Sequence, residues 1–303
     1  MVRLLLVLLL ASCSARQYER HDYDLHGEGR YDEEGQRIGK NRTELAVLEG
    51  IYGATAGGII GVKAQSGSVG FGLGLIGSGV GAGLGYGLSG NLTAGQVQAI
   101  ESVTPWMLAH AAVLSIGDHD LRTASSYLVV SSIGGWFLGA GLAAFKPSTG
   151  TVAMANSTGM WVGIAFILAH TGFSPVDTST YTARTFSGTA GLLSLVLATD
   201  LAIVAGAFLG RDLKLSRGSV FALDGILVAS TGTALLIGGL TGHATNVDSS
   251  QYIGQWGIGG LIAGTALWAW LVPTWNIDAL PDIQPTVSRS LDGTPIFGLA
   301  GPL

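Results

Sequence analysis

The chain has 303 residues, of which 48% are hydrophobic and 12% charged; 48 are glycine, and the formal net charge is −5. A negative net charge gives no basic surface for nucleic acid, which argues against a nucleic-acid partner. Only 20 charged residues lie in the 259 residues after Glu44, whereas soluble domains carry about 25% charged residues. A body so poor in charge cannot easily be covered against water. The composition therefore predicts a membrane-embedded or very apolar bundle.

Residues 1–12 are predicted to be a signal peptide. Arg3 gives a positive start, and the apolar core Leu4–Leu10 is far shorter than the ~20 residues that span a bilayer. The core ends in Leu-Ala-Ser-Cys, and Cys13 is the only cysteine of the chain. No disulfide within the chain is therefore expected.

This ending resembles the lipobox of bacterial lipoproteins, and the resemblance covers about the first 13 residues. It implies cleavage before Cys13 and a lipidated cysteine thiol, with acyl chains such as palmitate as membrane anchor. Because Ser14 and not aspartate follows, it also implies sorting to the outer membrane. The alternative is a chance cysteine in an ordinary signal peptide.

Residues 13–45 have mixed charge, few aliphatic side chains and no periodicity, which predicts a lipidated, flexible tether. Residues 46–272 form a glycine-rich repeat body. Residues 273–303 form a proline-containing tail in which Asp292-Gly293 suggests a small hairpin, with a surface-hugging or disordered segment as the alternative.

The body contains an internal repeat. Three segments share an opening with Ser or Thr two residues before a glycine and Val two residues after it, at Gly95, Gly150 and Gly218. The hydroxyl residue precedes an apolar run, which indicates a helix N-cap. Six residues after each glycine stands a polar residue, Glu101, Asn156 or Asp224, and eleven after the first two stands Trp106 or Trp161. Each opening follows an apolar, glycine-rich segment, so we expect hairpins.

The predicted fold class is all-α, a bundle of about eight glycine-rich apolar helices in repeated hairpins. The apolar segments are roughly 16–25 residues long, and glycines at spacings of three and four allow close helix packing. The alternative is a membrane β-barrel, because the glycines from Gly77 to Gly87 alternate with period two as in a strand. The body resembles glycine-rich helical-repeat envelope proteins.

Four polar residues inside apolar segments are the candidate site: Glu101, Asn156, Asp200 and Asp224. Ionisable side chains in a membrane usually face a partner or a wet cavity, so these acids could line an ion or proton path. The competing interpretation gives Glu101 and Asp224 structural hydrogen bonds to neighbouring hydroxyls, since they recur at one repeat position beside the neutral Asn156. His110 and His170 lie near segment ends.

The sequence contains no GxSxG, HExxH, P-loop or CxxC motif, so no enzyme, cofactor or metal is predicted. The predicted function is that of a lipid-anchored envelope protein with a structural or assembly role in the membrane, and the lipobox resemblance implies the outer membrane because Ser14 follows the cysteine. The alternative is a channel or transport component with intramembrane carboxylates. Expected partners are membrane lipid and further copies of the chain or other envelope proteins.

Overall fold

The computed structural model describes residues 42–116, 121–173, 176–177, 182–183, 189–245, 249–271, 284–289 and 295–300. These residues confirm the predicted all-α bundle, and the long glycine-rich segments are helices, not the strands of the barrel alternative. The eight helices described are α1 (Arg42–Lys63), α2 (Gly67–Leu88), α3 (Ala94–Ile116), α4 (Leu121–Ala143), α5 (Thr149–Phe173), α6 (Thr189–Asp212), α7 (Arg217–Thr245) and α8 (Ser249–Leu271).

Two short antiparallel strand pairs accompany the helices. β1 (Val176–Asp177) pairs with β2 (Thr182–Ala183) between α5 and α6. In the tail, β3 (Gln284–Arg289) pairs with β4 (Pro295–Ala300), in a register that runs from Gln284 opposite Ala300 to Arg289 opposite Pro295. The tail hairpin suggested by Asp292-Gly293 therefore has its two strands, while the turn itself lies outside the described residues.

Neighbouring helices pack as four antiparallel pairs: α1 with α2, α3 with α4, α5 with α6, and α7 with α8. The sequence grouped each glycine-rich segment with the repeat opening that follows it, and this grouping is wrong in space. The helices joined by the short links after α2, α4 and α6 make almost no contact with each other. Each opening helix packs instead on the glycine-rich helix that comes after it, because that helix brings glycines to its surface: Gly139 of α4, for example, lies against the backbone of Ile100.

The α1–α2 pair shows why alternating glycines form a helix here. Because a helix has 3.6 residues per turn, period-two glycines fall on two different faces. Gly77, Gly81 and Gly85 face α1, where a Cβ atom would collide with the α1 backbone. The glycines at 79, 83 and 87 have no such neighbour within 4 Å. One set lets the two backbones touch, as in small-xxx-small packing, and the other set lies on the outer face.

The predicted hydroxyl caps are confirmed at all three repeat openings. The backbone N–H groups of Gln96, Thr151 and Ser219 donate to the side-chain oxygens of Thr93, Ser148 and Ser216 at 3.3, 3.1 and 3.1 Å. At the first opening the bond is reciprocal, because the N–H of Thr93 donates to Oε1 of Gln96 at 3.0 Å. This is a capping box, and it fixes where the helix begins.

Consecutive openings interlock at one end of the bundle. A Cβ atom on Gly95 would strike the carbonyl oxygen of Pro147, and one on Gly150 would strike that of Leu215. The start of α3 therefore rests on the α4–α5 link, and the start of α5 on the α6–α7 link. Since the helices alternate in direction, the start of α1 and the end of α8 lie at this same end.

The bundle starts earlier than the sequence indicated. The predicted body begins at residue 46, but α1 begins at Arg42, because Leu45 is only 1% exposed and packs in a core cluster with Val97, Ile100 and Ala143. A second core cluster joins Met154, Leu223 and Trp268 with their neighbours.

The outside of the described bundle is apolar. Large hydrophobic side chains stand exposed on it, among them Phe71 and Leu201 at 71% and Leu240 at 73%. Five helical segments in the described residues are long and apolar enough to cross a membrane; they are residues 67–91, 125–143, 149–173, 190–212 and 217–243. Exposed apolar area on this scale marks a surface that lipid or another protein covers.

Candidate functional site

Hydrogen bonds join the polar residue of one repeat to the tryptophan of the repeat before it. Nε1 of Trp106 on α3 donates to Oδ1 of Asn156 on α5 at 2.9 Å. Nε1 of Trp161 on α5 donates to Oδ1 of Asp224 on α7 at 2.8 Å. The same two repeat positions are thus used twice, first between α3 and α5 and then between α5 and α7. The sequence showed both positions but not that they meet across repeats.

Asp224 has a second donor. Oγ of Ser157, which follows Asn156 on α5, donates to the same Oδ1 at 2.5 Å. Hydrogen bonds to a carboxylate are stronger than those between neutral groups, and here both run between helices. The arrangement agrees with the structural interpretation of Asp224, in which the carboxylate accepts from a neighbouring hydroxyl.

Glu101, the equivalent residue of the first repeat, is buried, at 8% exposed. Near it lies a second acid to which no sequence pattern pointed: Glu49 on α1, which is 3% exposed. Tyr52, one turn after Glu49, lies within electrostatic range of both carboxyl groups. The one sequence feature that could have pointed to Glu49 is that it is a single acid within the apolar stretch 45–61. Because this stretch directly follows the charged tether, the acid does not stand out.

Pro105 interrupts α3 one turn after Glu101. Proline has no N–H to donate to the carbonyl group four residues earlier, which here is that of Glu101, and its ring crowds that carbonyl. The helix continues through this point with one backbone hydrogen-bond donor fewer, between the buried acid and Trp106.

Asp200 differs from the other candidates because it is not enclosed by the bundle. Its side chain is 52% exposed, and its Oδ1 lies 3.6 Å from Nδ1 of His110, which is 13% exposed. Nε2 of the same imidazole lies 3.3 Å from Oγ1 of Thr199. The indole of Trp106, one turn before His110 on α3, packs on the imidazole with ring centroids 6.0 Å apart. The structure thus brings together Asp200 and His110, which the sequence named separately.

The candidate residues therefore lie in three places, two of which share Trp106. Asn156 and Asp224 belong to the inter-repeat hydrogen bonds, Glu101 lies near Glu49 and Tyr52, and Asp200 lies beside His110. They do not form one continuous polar path among the described residues. Cys13, the predicted lipidation site, lies outside the described residues.

A comparison with known protein families, curated proteins and solved structures finds no match. The fold itself defines the class: an all-α bundle in which five of the described helices are long and apolar enough to cross a membrane. Its function must be argued from the polar contacts and the exposed surface.

Proposed function

We propose that the chain is a lipid-anchored protein of the bacterial envelope, embedded through its helical body, with a structural or assembly role in the membrane. The observation that carries this proposal is how the bundle uses its polar groups. Asn156 and Asp224 accept hydrogen bonds from indole and hydroxyl groups of the same chain, while the outer surface presents apolar side chains. Polar residues inside and apolar residues outside suit lipid as the solvent.

Close backbone contact supports the assembly role. Glycines on α2 that face α1 allow contact between backbones, and those on its outer face remain open to a neighbour. The proposed partners are membrane lipid and further copies of the chain or other envelope proteins. The acyl group on Cys13 would select the membrane, with the outer membrane proposed from Ser14, while the body supplies the main attachment.

The test uses envelope fractionation with three forms of the full chain. Wild type should carry an acylated Cys13 at its mature N-terminus and resist alkaline extraction. Cys13→Ser should lose the acyl group and still resist extraction, because the helices hold it. Ser14→Asp should stay acylated but move to the inner membrane. Release of Cys13→Ser as a soluble protein would contradict the embedded body, and an unacylated wild type would contradict the anchor.

Transport is a second candidate function, favoured by Asp200 alone. A carboxyl group half-exposed in the middle of an apolar helix is costly in lipid and usually marks an ion or proton route. Flux across vesicles that contain the purified chain would test this candidate. Asp200→Asn should reduce the flux strongly, and Asp224→Asn should leave it near wild type, since Asn keeps the oxygen that accepts from Trp161 and Ser157. Equal flux in wild type and Asp200→Asn would remove the candidate.

A further inference from the structure

Asp200 places a carboxyl group near the middle of the apolar helix α6. It stands 11 residues after the start of α6 and 12 before its end, which at 1.5 Å per residue is about 16 Å from either end. Its exposed neighbours along the helix are apolar: Leu197, Val204 and Phe208 are 61%, 54% and 55% exposed. The carboxyl group therefore interrupts an otherwise apolar outer stripe at its centre.

The hydrogen bonds of Thr199 favour one tautomer of the neutral His110 ring. Oγ1 of Thr199 lies 2.8 Å from the carbonyl oxygens of Leu195 and Val196, so its single hydrogen is donated within α6. This arrangement favours the tautomer with the hydrogen on Nε2, in which the hydroxyl oxygen accepts from the ring at 3.3 Å. Nδ1 is left with a lone pair, and this lone pair faces Oδ1 of Asp200.

An unprotonated Nδ1 and a carboxylate oxygen are both acceptors and cannot bond to each other. One added proton removes the conflict, because it forms a bond to Nδ1 or to the carboxyl oxygen and is shared with the other atom. No bond breaks, and the charge of the pair changes from −1 to zero. The neutral state is the one that apolar surroundings favour.

We infer that His110 and Asp200 form a binding site for a single shared proton, on the side of the bundle between α3 and α6 and midway along α6. His110 forms its inner side, held by Trp106 and Thr199. Asp200 forms its outer side, through which the proton enters and leaves, because its side chain is exposed and that of His110 is not.

Asp200 is the charged partner of His110, and the other charged groups on the neighbouring helices do not replace it. Among the residues whose side chains are described, the elements packed on α3 carry Glu49, Tyr52 and Lys63 on α1, Tyr127 on α4 and His170 on α5, and α3 itself carries Glu101. Within the described part of the chain, the charge that acts on His110 is that of Asp200. On α6 itself, Arg211 and Asp212 lie at the helix end, paired with each other at 3.3 Å.

The inference deepens the transport candidate and rests on it only for its biological use, since proton binding at equilibrium requires no flux. The experiment is ¹⁵N NMR of the imidazoles of the full chain in lipid nanodiscs over a pH series. The chain has 6 histidines, and His110→Gln identifies the signals of His110 by their loss. In the wild type we expect Nε2 to carry a hydrogen over the whole pH series. The Nδ1 signal should change in a single step as the shared proton binds.

In Asp200→Asn this step should move to lower pH, with proton affinity reduced at least about tenfold, because the carboxylate that favours the proton is gone. Asp212→Asn removes an acid from the end of the same helix and should leave the step unchanged. Thr199→Val should redistribute the neutral imidazole between its two tautomers, which loss of packing alone would not do.

Identical His110 titration in wild type and Asp200→Asn would overturn the inference, as would a neutral imidazole that carries its hydrogen on Nδ1. A normal titration without flux across vesicles would instead remove the transport candidate and leave the proton site standing. The two proposals can thus fail separately.

Discussion

Trp161 on α5 donates its indole N–H to the carboxyl group of Asp224 on α7, 63 residues later in the chain, at 2.8 Å. Trp106 makes the equivalent bond to Asn156. These contacts run from each repeat to the next and not within a repeat, so they hold together helices that are not partners in a hairpin.

Trp161→Phe should destabilise the bundle by about 1–3 kcal/mol, because the partly buried oxygen of Asp224 loses one of its two donors. Unfolding in detergent micelles, followed by circular dichroism, measures the change. Trp256→Phe is the matched control: this indole is 42% exposed, and a change within about 0.5 kcal/mol is expected. Equal losses in the two variants would mean that ring size matters and the hydrogen bond does not.

Gly77→Ala and Gly79→Ala should change the free energy of unfolding in opposite directions, although the two glycines lie only two residues apart on α2. A Cβ atom at Gly77 would strike the carbonyl oxygen of Gly53, so the backbones must separate, at a cost of about 1–3 kcal/mol. A Cβ atom at Gly79 meets nothing within 4 Å, and the better helix propensity of alanine should stabilise by up to about 1 kcal/mol. Unfolding free energies of the two variants test this, and similar values would refute the α1–α2 contact.

Gly150→Ala should destabilise more than Gly218→Ala, although both glycines occupy the same position of the repeat. At Gly150 the added methyl group would strike the carbonyl oxygen of Leu215 in the next opening. At Gly218 its nearest neighbour is Oγ of Ser216 at 3.7 Å, an ordinary contact. We expect a loss of about 1–3 kcal/mol for the first variant and a change near zero for the second. Proteolytic resistance in micelles, compared at matched temperatures, provides the measurement.

Lys146→Gly should stabilise the α4–α5 turn by about 1 kcal/mol. Lys146 has φ of 49°, a left-handed conformation that costs residues with a Cβ atom roughly 1–2 kcal/mol and glycine almost nothing. Lys146→Ala removes the same charge and retains the Cβ atom, so its stability should not rise. A gain in both variants would assign the effect to the charge. Thermal unfolding of the three proteins decides between these causes.

Much of the fold follows from local sequence features. Segment length and aliphatic content predicted the helices, and hydroxyl residues before the apolar runs predicted the caps at Thr93, Ser148 and Ser216. The alternating glycines suggested the barrel alternative, because residues with period two share one face of a strand. In a helix the same residues divide between two faces. The hairpin partners were assigned wrongly because a short link need not join helices that pack.

The site was harder to predict than the fold. Asn156 and Asp224 were named from their shared repeat position, but their tryptophan donors come from the preceding repeat. His110 and Asp200 are 90 residues apart, share no repeat position, and meet only because α3 packs on α6. Glu49 was missed because a single acid in an apolar stretch has no spacing pattern to reveal its partner.

The interlocked end of the bundle has more cations in or beside its links than the opposite end. Lys146, Arg211, Lys214 and Arg217 lie in or beside the links at this end, where α1 also begins. The links at the opposite end contribute Lys63, Arg122 and Arg184. In an inner membrane the cation-rich side faces the cytoplasm, whereas an acylated N-terminus faces away from it. The two requirements oppose each other in this topology, so the proposed acyl group on Cys13 suits the bundle better in the outer membrane, to which the charge rule does not apply.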